Sequence, residues 1–187
     1  MKIRSAWGAM LALCCVHAFA AGSATATRDT YTWDGGDGGP IAKGERVTVT
    51  LTPDAADVGM PGSVYVGIAI NGNQAAYWAN GTWHPLDASI APTEFFTALP
   101  AGPRSYIVFD QPNGFICQQM RNNQVSLYVG YGVLTPDKEQ LVRSYHASAN
   151  PKVPPDHIRN AYIREDMSKK QKVWNVFNVD CTENISG

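Results

Sequence analysis

The chain has 187 residues, of which 44% are hydrophobic and 17% charged, with a formal net charge of −1. Length and apolar content suit one globular domain able to bury a core of its own. The balanced charge excludes an electrostatic basis for holding nucleic acid or an anionic membrane surface.

The first twenty residues read separately from the rest. Lys2 and Arg4 give a positive start, residues 6–19 form an apolar run without Lys, Arg or acidic side chains, and Ala18-Phe-Ala20 is an A-x-A site. This pattern predicts a secretory signal peptide over 1–20, cleaved after Ala20. The run is short for a bilayer, so no membrane span is expected in the mature chain. Cleavage removes Lys2 and Arg4, leaving 13 basic against 16 acidic residues. It also removes Cys14 and Cys15 and leaves Cys117 and Cys181. The expected location is exported, periplasmic or extracellular, where an even pair of cysteines predicts a Cys117–Cys181 disulfide.

Residues 21–44 are small, polar and glycine-rich, and run into Trp33-Asp-Gly-Gly-Asp-Gly-Gly-Pro40. They read as a flexible leader with an edge strand at 30–33. A β-sandwich domain is expected over 45–181, with 182–187 as a tail. Glu45-Arg-Val-Thr-Val-Thr-Leu51 alternates apolar and polar residues, the pattern of a half-buried strand. Residues 52–62 hold two prolines and two glycines and read as a loop.

Then comes Ser63-Val-Tyr-Val-Gly-Ile-Ala-Ile70, followed by two more β-patterned segments at 74–79 and 82–86. Asn71-Gly-Asn73 and Asn80-Gly81 separate them. Asn and Gly tolerate the positive φ of tight hairpins, so the stretch predicts a three-strand antiparallel meander. A two-residue turn at Asn80-Gly81 sets Trp78 opposite Trp83. The turn at 71–73 leaves two outcomes. A three-residue loop puts Trp78 across from Val66, in the core. A two-residue turn puts it across from Tyr65, making Tyr65, Trp78 and Trp83 an aromatic platform for a protein or glycan partner.

Prolines at 92, 100 and 103 exclude a central strand over most of 87–103. Strands are predicted at 104–110 and 124–132, with a short one at 115–119 carrying Cys117. The periodicity then turns helical. Thr135-Pro-Asp-Lys-Glu139 is a helix start, and a second helix fits 156–170, so 133–171 reads as a helical insertion packing at one end. Lys172-Val-Trp-Asn-Val-Phe-Asn-Val179 returns to strand. The predicted fold class is mainly β: an antiparallel β-sandwich, immunoglobulin-like in outline, with a helical insertion before the last strand.

Leu127-Tyr-Val-Gly-Tyr-Gly132, with Gly62-Ser-Val-Tyr-Val66, Trp83, Asp166-Met167 and Lys172-Val-Trp174, resembles a small β-sandwich module of exported bacterial surface proteins, some of them associated with type IV pili. The resemblance spans roughly 45–180. It implies a β-sandwich that binds or assembles with a surface partner, and it brings no catalytic residue. The insertion of about 30 residues between Gly132 and Asp166 departs from the pattern.

No chemistry-bearing motif stands out. Asp34-Gly-Gly-Asp37 offers too few oxygens for a calcium loop and reads as a polar turn. His84, His146 and His157 lack metal-ligand spacing, so neither a metal site nor a cofactor is expected. Ser63 lacks a nucleophile frame, and Glu165 and Asp166 are adjacent, so they point apart on a helix. The cluster Arg159, Arg164, Lys169, Lys170 and Lys172 is interspersed with acids and reads as a solvated face. Asn80-Gly-Thr82 and Asn184-Ile-Ser186 match the glycosylation sequon, the first also being hairpin chemistry. Two function classes follow. One is a noncatalytic secreted binding or assembly module at the bacterial envelope or cell surface. The other is a secreted hydrolase with its site in the loops 87–103 and 133–171.

Overall fold

The computed structural model describes residues 21–33, 42–86, 90–111, 115–148 and 153–182. The signal segment, the Asp34–Asp37 run and the second sequon lie outside these residues. Two antiparallel sheets face each other. The smaller has the order β1-β2-β7, from strands Ser23–Trp33, Ala42–Thr52 and Arg104–Gln111. The larger has the order β5-β4-β3-β8-β9, from Thr82–Pro85, Asn73–Ala79, Gly62–Ile70, Gln124–Val133 and Val173–Asp180. A short β6, Glu94–Phe96, pairs with β3 at Gly62 to Val64, beyond the end of β4. The fold is therefore mainly β, an antiparallel sandwich with helices before the last strand.

The alternation in β2 does what its sequence requires. Val47, Val49 and Leu51, with Val108 of the neighbouring β7, face Val64, Val66, Leu127, Val129 and Tyr131 across the sandwich. The leader reading needs correction. Residues 23–33 form an eleven-residue strand paired with β2 along its whole length, from Ser23↔Thr52 to Trp33↔Ala42. Ala24 and Ala26 pack on the core and threonines alternate with them, a period of two that small side chains conceal. Residues 116–119, expected as a strand, are instead a helical turn, α1 (Ile116–Gln119). Its Ile116 N–H donates at 2.6 Å to buried Glu45, which also pairs with Arg28. Cys117 on that turn is bonded to Cys181, 64 residues away, just beyond β9.

The meander forms with both Asn-Gly turns in the left-handed region, at φ 51° and 78° for Asn71 and Gly72 and 52° and 77° for Asn80 and Gly81. Asn71-Gly72 is a two-residue turn, pairing Ile70 with Asn73. That register alone would send Trp78 opposite Tyr65. It does not, because Ala69 pairs with Gln74 and Ile68 with Ala76, leaving Ala75 as a bulge. One extra residue flips every later side chain to the other face. Trp78 thus lies opposite Val66 and Trp83, its ring edge-on to Trp83 at 5.3 Å.

The helices do not pack at one end. α2 (Pro136–His146) and α3 (Pro155–Lys169) form a third layer, with α3 on the outer face of the larger sheet over β8 and β3. Ile163 is fully buried with Tyr65 and Leu134 beneath it. The glycines of Leu127-Tyr-Val-Gly-Tyr-Gly132 allow this approach. A Cβ at Gly132 would lie 2.0 Å from the Ile163 carbonyl oxygen, and one at Gly130 would lie 2.8 Å from Met167 Sδ. Among the described residues no helix is long and apolar enough to cross a membrane.

Candidate functional site

With α3 over one half, the other half of the larger sheet's outer face is left as a groove of about 370 Å³. Its floor follows from register. Gly67 pairs with Tyr77 on one side and Tyr128 on the other, so one row across three strands reads Tyr-Gly-Tyr. The glycine makes a slot between two phenol rings. A Cβ there would meet only the Ala76 carbonyl oxygen, at 3.6 Å, so the space above it is open. Tyr77 is buttressed by His84, stacked at 5.3 Å, and the His84 Nε2 is 3.1 Å from the Ala79 carbonyl oxygen. Met167 and Arg164 of α3 form the opposite wall, and Leu86 and Ile90 form a rim.

The polar groups gather at the end marked by Tyr65. Arg164 Nη1 donates to the Ile90 carbonyl at 3.2 Å, and no carboxylate pairs with this guanidinium among the described residues. Burial pushes the Tyr65 phenol up to about 12, with the Arg164 charge pulling the other way. Tyr65 Oη and Ser63 Oγ are both buried, neighbours of one another and without another hydrogen-bond partner among the described residues. Among the described residues no Asp, Glu or Lys lines the groove.

Of the two outcomes open for Trp78, the core one holds, and Tyr65, Trp78 and Trp83 are not brought together as a platform. Tyr65 faces α3, whereas Trp78 and Trp83 pack on the inter-sheet core. Trp83 Nε1 donates to the Val108 carbonyl at 3.0 Å, tying β5 to β7. The bulge at Ala75 is the cause, and nothing in the local sequence announces it. Tyr77, Tyr128, Gly67 and Arg164 were not singled out as a site. The signal for Gly67 was present: an isolated glycine inside a strand marks a bulge or a close approach.

The basic cluster, Arg164 apart, resolves into pairs. Arg159 meets Glu139 and Asp156, Lys169 meets Glu165, and Lys170 meets Asp166. Lys172 is buried against Asp57 at 2.6 Å and Asp166 at 2.9 Å, over the Tyr131 ring. Tyr131 donates to Asp57 at 2.7 Å and accepts from the Asp54 N–H at 2.8 Å. Burial alone would raise Asp166, but bonds from Lys170, Lys172 and the Val133 N–H outweigh it and hold the carboxyl below its usual value. Every polar group of this knot has a partner, which marks it as a clamp between α3, β8 and the turn at 55–57. No group of three or more His, Cys, Asp or Glu among the described residues is placed to hold a metal.

Comparison with protein-family models, with curated proteins and with solved structures finds no match.

Proposed function

We propose that the chain is a noncatalytic exported module that binds or assembles with a partner at the bacterial envelope or cell surface, through the groove beside α3. One observation carries this reading. The groove is lined by three tyrosines, a methionine and an arginine around a glycine floor, with no Asp, Glu or Lys among the described residues. Aromatic residues, Met and Arg are the types enriched where proteins bind proteins, and Lys, Glu and Asp are the types depleted. A protein partner therefore suits it better than a glycan. Export to the periplasm or beyond is supported by the N-terminal signal pattern and by the disulfide, which persists in oxidising compartments. The resemblance to pilus-associated surface modules points the same way.

The hydrolase reading has less support. In the loops assigned to it, Glu94 is held by Arg104 and Tyr106, Glu139 by Arg143 and Arg159, and Asp166 by two lysines. Cross-linking in cells tests the proposal. A photoreactive residue at Leu86, on the groove rim, should capture a discrete partner, and the same residue at Thr50, on the outer face of the smaller sheet, should not. Equal capture from both positions, or none from Leu86, would overturn it.

A further inference from the structure

We propose that the groove takes the extended C-terminal segment of a partner protein, its apolar side chains over Gly67 and its terminal carboxylate on Arg164. This rests on the binding-module reading above and names the kind of partner. Charge is the first argument. Of the three cations on α3, Arg159 and Lys169 have carboxylate partners, and Arg164 has none among the described residues. A guanidinium is built to grip a carboxylate with two parallel bonds. Beside it lies the buried Tyr65 hydroxyl, whose side-chain neighbour is Ser63 and which is close enough to feel the Arg164 charge. The Arg164 end of the groove thus holds a cation with no counter-charge among the described residues.

The second argument is shape. From Tyr65 through Gly67 to Ala69 the floor spans five strand residues, four steps or roughly 14 Å, the reach of about four residues of extended peptide. A side chain over Gly67 would sit between the rings of Tyr77 and Tyr128. At its Tyr65 end the groove meets the segment before β6. Thr93 N–H donates to the Val64 carbonyl at 2.8 Å, Thr93 Oγ1 accepts from the Val66 N–H at 2.9 Å and donates to the Trp78 carbonyl at 2.6 Å. These bonds hold the segment before β6 alongside β3, and Arg164 bridges from α3 to Ile90 of that segment. Arg164 and Ile90 both line the groove, so a peptide entering from the Asn71-Gly72 side meets this bridge. A chain that ends at a cation ends in a carboxylate.

Two random hexapeptide libraries, identical but for a free carboxylate or an amide at the C-terminus, test this with the purified protein. The wild type should enrich free acids with apolar final residues, and the amide of a selected peptide should bind about tenfold more weakly or worse. Arg164→Gln should bind acid and amide alike, and Gly67→Val should bind neither. Failure to enrich, equal binding of acid and amide by the wild type, or an acid preference surviving in Arg164→Gln would overturn the inference. Amide binding that Gly67→Val abolishes would sink the carboxylate role and leave the groove as a binding site. Loss of the Leu86 cross-link would sink the binding-module reading itself.

Discussion

At the scale of single residues, two glycines in one sheet have opposite meanings. Gly132 faces the Ile163 carbonyl, where a Cβ would lie 2.0 Å away against backbone. Gly132→Ala should therefore cost about 1–3 kcal/mol or more, read as a lowered denaturation midpoint. Gly67 has open space and an ordinary φ, so Gly67→Val should leave the midpoint unchanged or raise it slightly. Trp83 joins the two sheets through its ring and its bond to Val108. Trp83→Ala should cost about 3–5 kcal/mol by urea denaturation, as expected for a packed tryptophan. The Lys172 knot gives a pH dependence. Because Asp166 is held below its ordinary value, the folded state takes up its proton less readily than the unfolded chain. The stability it contributes is complete above the ordinary carboxylate range and fades as pH falls through the lowered value. Asp166→Asn should flatten that acid limb of a stability-versus-pH curve while lowering stability at neutral pH.

At the scale of elements, the sequence was legible where turn chemistry and periodicity agreed. Both Asn-Gly turns, the alternation of β2, the β8 run and the helix opening at Thr135-Pro136 stand where the residues indicated. The rest was hidden for definite reasons. β1 alternates Ala with Thr, a contrast too small to stand out beside a glycine-rich neighbour. The Ala75 bulge depends on how β3 and β4 settle against the core, which local spacing does not encode. Residues 116–119 carry two apolar and two polar residues, too few to tell a helical turn from a strand, and buried Glu45 caps them from a distance in sequence. The candidate site was the least legible part, since Tyr77, Gly67 and Tyr128 meet only through register. Cys117–Cys181 shows how such distant pieces are held. Its loss should cost about 4 kcal/mol from loop closure alone. Denaturation of the double Cys→Ser variant checks this, and an intact-mass gain of two hydrogen atoms on reduction checks the bond itself.

At the scale of the whole molecule, the helical insertion is part of the domain. α3 covers Tyr65, Leu134 and Gly132 and forms one wall of the groove, so removing 133–171 would expose the outer face of the larger sheet. The sandwich supplies a rigid floor and the helical layer a wall and a charge. The central claim is that this groove is where a partner binds. It is tested most directly by cross-linking from Leu86 in cells that carry Gly67→Val. The filled groove should lose the adduct while the protein keeps its melting temperature and its disulfide. An adduct of unchanged yield in a folded Gly67→Val variant would contradict the account.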